Sequence, residues 1–414
     1  MMKSGITLAR RLQSRGAVSR GLASTAELSS SSVGDLFSPR EEHRALREMV
    51  KNFVLAEVEP QALLHNREER FNVPLFRKLG EIGLLGITVP DEYGGSGMDA
   101  TAMVIAMEEL SASDPAFCLS FLAHSTLFLN NLNVNGSHEQ KLKYCVPASS
   151  GDIVCGMCMS EAGAGTDVLG MSTKARPDGD NFVINGSKMW ITNGTVDGET
   201  TGDAFLVYAK TGDARTDLSM FIVEKGMPGF SLGGKIEDKL GMRASMTAEL
   251  VFEDVVVPKA NLVGSLNGAT LCMMRNLEIE RVALAAMSSG IARRCIEEMA
   301  KYSRERKAFD KRISDFGQIQ KMIADSYCQY SAGKAYIYNT SNNLNLNSSG
   351  NVVDSDGVKL FAGAMAKNVA DCAIQVLGGN GYTGEYRVEQ LWRDAKLLEI
   401  GGGTNESHHK VSKK

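Results

Sequence analysis

The sequence predicts an α+β chain in three parts: an N-terminal α-helical domain, a middle β-domain and a C-terminal helical bundle. Three observations predict it. Apolar residues recur at helical spacing from Ser38 to about Ser150. From about Gly151 to Val263 the period drops to two. From about Asn267 it is helical again, in longer segments, as a bundle packed against the β-domain requires. A length of 414 residues fits two or three domains. The expected boundaries are 36–150, 151–265 and 266–414, with residues 1–30 outside the fold.

In the first part, Ser38-Pro39-Arg40-Glu41 reads as an N-cap, a proline at the first helical position and a capping-box acid. Leu46, Val50, Phe53 and Val54 then fall on one helical face. Residues 83–97 (GLLGITVPDEYGGSG) read as an interhelical loop, being rich in glycine and turn formers. Helices are expected over 101–111 and 116–132, the second nearly all apolar and so buried. In the middle part, strands are expected at 182–184, 204–208, 220–223 and 248–252, with Gly, Asp and Pro turns between them. The last part predicts helices over 270–306, 315–343 and 357–377. Ser348-Ser349-Gly350-Asn351 breaks the second from the third.

Composition limits the function. Hydrophobic residues at 43% and charged residues at 23% are ordinary for a globular chain. A net charge of −4 gives no reason to expect nucleic-acid binding. No apolar run approaches the roughly 20 residues that span a bilayer, so no membrane is expected. The first 26 residues carry Lys3, Arg10, Arg11, Arg15 and Arg20, several serines, and no acid before Glu27. That pattern predicts a mitochondrial transit peptide and a matrix location; a disordered tail is the alternative. The eight cysteines are scattered, so free thiols are expected. Cys155 and Cys158 form a C-x-x-C, but it has neither a second pair for zinc nor a thioredoxin-like context. On a strand the two would face opposite sides. No metal site is expected.

The stretch from Cys155 to Gly194 is the most informative. A glycine-broken turn, Ser160 to Asp167, lets backbone N–H groups approach a ligand, since Gly163 and Gly165 have no Cβ. Ser160, Thr166 and Thr192 add hydroxyls, and Trp190 a flat face. A planar ring with many acceptors, such as a flavin, suits such a wall. A surface hairpin with glycine turns is the alternative.

A buried carboxylate makes a good base for an α-proton, because burial raises its pKa toward neutrality. Glu278 and Glu280 lie about 200° apart on the predicted helix. Glu278, flanked by Arg275 and Arg281, reads as solvated and ion-paired. Glu280 shares its stripe with Leu277, Ala283, Leu284 and Met287, where a lone acid is costly unless paired or used. An acid facing a polar partner across the bundle is the alternative.

The motifs MSEAGAGTD (159–167), KMWITNG (188–194), GMRAS (241–245), RKAFDKRI (306–313), QVLGGNGY (375–382) and WRDAK (392–396) occur in this order. With them the chain resembles the acyl-CoA dehydrogenase family over nearly its whole length beyond the basic N-terminus. LSFLAHSTL (119–127), FIVEKGMPGFS (221–231) and DKLGMRAS (238–245) resemble its isovaleryl-CoA branch in particular. The resemblance implies a C-terminal four-helix bundle, FAD, a homotetramer and electron-transfer flavoprotein as acceptor. It implies oxidation of isovaleryl-CoA to 3-methylcrotonyl-CoA, a step of leucine catabolism. Most relatives carry their base in a Tyr-Glu-Gly-Thr loop; here the loop is Ile400-Gly401-Gly402-Gly403-Thr404, with glycine at that position. The isovaleryl-like members place the base in a Leu-x-x-Glu-Arg setting, which Leu277 to Arg281 match at Glu280.

By the same resemblance, Met157, Cys158, Met159, Ser160 and Thr166 line the flavin, and Trp190, Ile191 and Thr192 cover its other side. Arg306, Gln375, Gly378 and Gly379 reach FAD across a subunit interface, and Thr404, Asn405 and Glu406 cap it. Thr166, Glu278, Arg281, Gly402 and Gly403 border the acyl-CoA. Two departures stand out. The usual first glutamine after the Arg306 motif is Gly317, with Gln318 or Gln320 as substitutes. The tail reads Ser407-His408-His409-Lys410 where relatives have an apolar–Arg–Arg segment, and an exposed end is expected. Asp310 replaces a frequent glycine. Two enzyme rivals are a long-chain acyl-CoA dehydrogenase and an acyl-CoA oxidase; the latter is the less expected, since an extra C-terminal domain is common there. A non-catalytic scaffold of the same fold is the third rival.

Overall fold

The structure, a computed structural model, describes residues 35–350 and 352–409. The expected transit peptide, residues 1–30, lies outside them.

The N-terminal helices are α1 (Glu41–Phe53), α2 (Glu59–Arg67), α3 (Val73–Glu81), α4 (Ala100–Ser111) and α5 (Pro115–Leu122). The expected cap at Ser38 is not made. Helix α1 starts later, with Arg40 at its N-cap and no side-chain cap bond. Ser38 Oγ instead donates to Phe37 O at 2.8 Å. Glu41 and Glu42 in the first turn face the positive end of the helix dipole. Helix α3 was not among the expected elements; Asn72 caps it, accepting from Leu75 N at 3.0 Å. Helix α5 is capped by Asp114, with Pro115 at its start. It runs on through π-helical turns at Ala123–Asn130, nearly all buried as its apolar sequence requires.

The middle part is one eight-stranded sheet: β1 (Cys155–Cys158), β2 (Lys174–Asp178), β3 (Asn181–Thr192), β4 (Ala204–Lys210), β5 (Leu218–Glu224), β6 (Phe230–Lys235), β7 (Thr247–Pro258) and β8 (Leu262–Val263). Its order is β6-β7-β3-β2-β4-β5-β8, with β1 parallel to β4. All four expected strands lie within β3, β4, β5 and β7. Strands β4 and β5 are buried on both faces. Phe205, Val207, Phe221 and Val223 fill the inner face. Leu206, Tyr208, Met220 and Ile222 meet the helices on the other. Cys155 and Cys158 fall into these two separate cores, as strand alternation predicts, and both are free thiols.

The C-terminal bundle contains α6 (Ala269–Glu305), α7 (Gly317–Asn343), α8 (Val352–Leu377) and α9 (Val388–Leu397). Helix α8 begins earlier than expected. The stretch Val352–Asn380 is long and apolar enough by composition to cross a membrane, contrary to the reading that no run comes close. Half of its most apolar window (50%) is buried in the protein, and Val358, Ala362, Ala366, Val369 and Ala373 pack in the bundle core.

Buried charges fix the N-terminal helices to this bundle. Arg47 of α1 pairs with Glu108 and Glu109 of α4, at 2.9 and 2.7 Å. Arg293 of α6 pairs with Glu109 at 2.7 Å, and Lys334 of α7 with Glu108 at 3.0 Å. At Gly290, a Cβ would collide with Glu108 O and Ser111 Oγ, so glycine is what allows α6 to lie against α4. These contacts hold α6, the helix that carries Glu280, against α4.

Candidate active site

The Ser160–Asp167 turn is held from beneath by a buried ion pair. Lys188 Nζ donates to Glu161 Oε1 and to Met159 O, both at 3.0 Å. Glu161 also accepts from the Ser172 N–H and hydroxyl at 2.6 Å and from Thr173 N at 3.0 Å. Burial opposes ionisation of Glu161, but Lys188 and these donors outweigh it and hold its carboxyl down at about 2. Above this base the turn is open. A Cβ at Gly163 or Gly165 would meet nothing within 4 Å, and Thr166 is exposed.

Trp190 stands beside the turn. The pairing of β3 with β7 shifts register between Lys188 and Ile191. That bulge, with Trp190 at φ +66°, turns the indole out of the sheet so that it is 60% exposed. Ile191 stays buried and Thr192 half-buried. Cys158 and Met159 have buried side chains, so only their backbone can face a ligand.

Glu280 lies on α6, buried among apolar neighbours. Burial pushes its carboxyl up to about 7, against the opposing pull of Arg281 and Lys359. Gly402 faces it. A Cβ built at Gly402 would lie 3.6 Å from Glu280 Oε1 and inside the contact distance of Leu284 Cδ1. Gly402 also has φ +66°, a conformation that suits glycine. The carboxylate here is therefore supplied by the helix, and a side chain at position 402 would have to displace Leu284. One turn before Glu280, Asn276 Nδ2 contacts Met157 Sδ of β1 at 3.9 Å, which joins the wall to the base. Asn276 Oδ1 and Arg281 Nε are buried and find no partner among the described residues.

Arg306, Gln375, Gly378 and Gly379 gather elsewhere. Asn380 Nδ2 donates to Tyr302 OH at 2.8 Å, and Arg306 N to Tyr302 O at 2.9 Å, so both segments share one end of the bundle. That end is roughly 25 residues, about 37 Å, along α6 from Glu280. All four residues are exposed there.

Known proteins resolve what this arrangement is. Residues 40–152 match the acyl-CoA dehydrogenase N-terminal domain, 156–255 the middle domain and 267–413 the C-terminal domain. The chain belongs to the acyl-CoA dehydrogenase family. The mitochondrial isovaleryl-CoA dehydrogenase of Pongo abelii is 41% identical over 374 residues, covering 88% of this chain and 86% of its own. The solved butyryl-CoA dehydrogenase of Megasphaera elsdenii is 31% identical, with TM-score 0.86, covering 90% and 97%. A glutaryl-CoA dehydrogenase from Mycobacterium smegmatis, solved in complex with FADH2, is 26% identical, with TM-score 0.83, covering 90% and 93%. The chain is thus an oxidoreductase of acyl-CoA substrates, in a family that depends on FAD.

The residues of this dehydrogenase fit that cofactor. The glycine turn is open, the indole is free, and a Cβ at Gly378 or Gly379 would meet nothing within 4 Å. Two sequence expectations need correction. Glu278 is not solvated; it is 2% exposed and accepts from Gly350 N at 3.1 Å, because the α7–α8 connection folds over it. Its flanking arginines go elsewhere, Arg281 to Asp356 at 2.8 Å and Arg275 to Asn131 and Asn135. The tail is not an exposed end at His408, which is buried against Asp356 and Gly403. Of the glutamines near Gly317, the exposed Gln320 donates to Ser314 O at 2.9 Å.

Sequence reasoning also missed Lys359 of α8. Its Nζ donates to Gly403 O and sits 3.4 Å from Asn405 Oδ1. Burial pulls its amine down to about 8, against Glu280. The signal was present: Lys359 is a lone charge between Val358 and Leu360, the same pattern that singles out Glu280.

Proposed function

We propose that this dehydrogenase oxidises a short branched acyl-CoA, isovaleryl-CoA, to 3-methylcrotonyl-CoA in leucine catabolism, with Glu280 as its base. The observation that carries this reading is Glu280, raised to about 7 by burial, facing a glycine at position 402, so that the helix and not the loop supplies the carboxylate. The Glu280 carboxylate takes the α-proton. The Gly402 N–H donates to the thioester oxygen, favouring the charge that develops there. FAD, when bound, supplies the hydride-accepting ring that takes the β-hydrogen with its electron pair.

Met157 to Ser160, Thr166 and Trp190 to Thr192 form the wall for that ring, through backbone groups at Cys158 and Met159. Thr404, Asn405 and Glu406 close it. Arg281, Gly402, Gly403, Thr166 and Glu278 border the substrate. Arg306, Gln375, Gly378 and Gly379 lie too far from Glu280 to serve the same site, which supports a homotetramer in which they serve a neighbour's. Electron-transfer flavoprotein is the acceptor and the mitochondrial matrix the location.

Glu280→Gln tests the assignment. It should abolish turnover and leave the purified protein yellow; near-wild-type activity would sink the role of Glu280. Comparing rates on isovaleryl-CoA, butyryl-CoA and palmitoyl-CoA tests the substrate, and preference for palmitoyl-CoA would replace it with a long chain.

A further inference from the structure

The tail of the chain carries a contact set that no part of the reaction above uses. His408 sits on a short helix, Asn405–His408, and is only 3% exposed. Its Nδ1 lies 3.0 Å from Asp356 Oδ1 of α8, and its Nε2 lies 3.1 Å from Gly403 O. Arg281 Nη1 reaches the same Asp356 oxygen at 2.8 Å. The ring also packs on the turn itself, since a Cβ at Gly403 would lie 3.0 Å from His408 Cε1 and Nε2.

Both partners of the ring are acceptors. A carboxylate and a peptide carbonyl have no hydrogen to give. Neutral imidazole has one N–H and so can satisfy only one of them; the other contact becomes lone pair against lone pair. The doubly protonated ring satisfies both. Asp356 of α8 is the charged group that touches the ring, and Arg281 of α6 shares it. Lys359 of α8 shares the ring's other acceptor, the Gly403 carbonyl, and is itself within electrostatic reach of Glu280, Arg281, Glu399 and Glu406.

We propose that His408 is a positioning residue that ties Gly403 to Asp356 and so holds the Gly402–Gly403 turn in place over Glu280. Arg281 continues the chain of contacts through Asp356 back to the residue next to the base. Lys359 holds the Gly403 carbonyl from the other side, so the turn is clamped by two donors. Removing the ring leaves the turn on Lys359 alone. The inference rests on Glu280 being the base, because the turn matters to turnover only if it borders the reacting carbon.

The test is hydrogen exchange of the FAD-loaded protein, followed at residues 399–406 at a single pH. In H408L, which has no donor, exchange there should quicken about tenfold, the effect of losing one hydrogen bond to the Gly403 carbonyl, and kcat should fall more than KM rises. In H408K, a multiple donor, protection should remain. Exchange in H408L equal to wild type would overturn the proposal. If H408L fails to fold, H408N, too short to bridge both partners, takes its place with the same two outcomes. Should E280Q stay active, the role of the base fails, while the exchange result still reports whether His408 clamps the turn.

Discussion

Glu280 shows how one position can be costly to the fold and useful to the reaction. Its ordinary carboxylate pKa is raised to about 7 by burial, so the folded protein favours the neutral acid. Between the unfolded value and 7, the unfolded chain has given up this proton and the folded chain has kept it. Stability therefore falls as pH rises through that window and stays low above it. Glu280→Gln removes the dependence. At pH 8 the variant should be more stable than wild type by up to about 3 kcal/mol, and the gap should close by pH 4.5. Denaturation midpoints at both pH values check this; a variant less stable at pH 8 would mean that the carboxylate is well satisfied. Turnover has the opposite sign, because only the ionised form accepts a proton. The rate should rise with pH through about 7 before any other group intervenes.

At the scale of elements, the turn before β2 and the bulge in β3 are positioned by the Glu161–Lys188 pair, whose side chains are 5% and 0% exposed. Removing one partner leaves the other charge buried alone. Lys188→Ala should cost about 3 kcal/mol and lower flavin retention, read as the 450 nm absorbance of purified protein. Glu161→Gln with Lys188→Met should recover part of that stability, since no charge is then stranded. Recovery of nothing would place the damage in packing instead. Period-two alternation made β3, β4, β5 and β7 legible in the sequence, and helical periodicity made α4 and α6 legible, because burial of one face or both is written locally. The missed features depend on distant partners. Ser38 looks like a cap, but the turn it would cap starts later. Glu278 looks solvated until the α7–α8 connection covers it. His408 looks exposed until Asp356 arrives from α8. Glu280 was legible for the opposite reason: an acid on an apolar stripe signals its own burial whatever covers it.

For the whole molecule, the decisive fact is a distance. Arg306 caps the far end of α6, about 37 Å along the helix from Glu280. In the homotetramer proposed above, each copy completes its neighbour's site. Two inactive variants should then rescue each other. In Glu280→Gln every site lacks its base, and in Arg306→Ala every site lacks the neighbour's arginine. Co-expressed with separate tags and purified as mixed oligomers, they place an intact Glu280 of one chain opposite an intact Arg306 of the other at one site of each mixed pair. Random pairing makes half of the pairs mixed, so about a quarter of the sites, and of wild-type activity, should return. If Arg306 acted within its own chain, mixing would give only the sum of the two parents. If Arg306 were a solvated arginine with no role, Arg306→Ala would be active before any mixing.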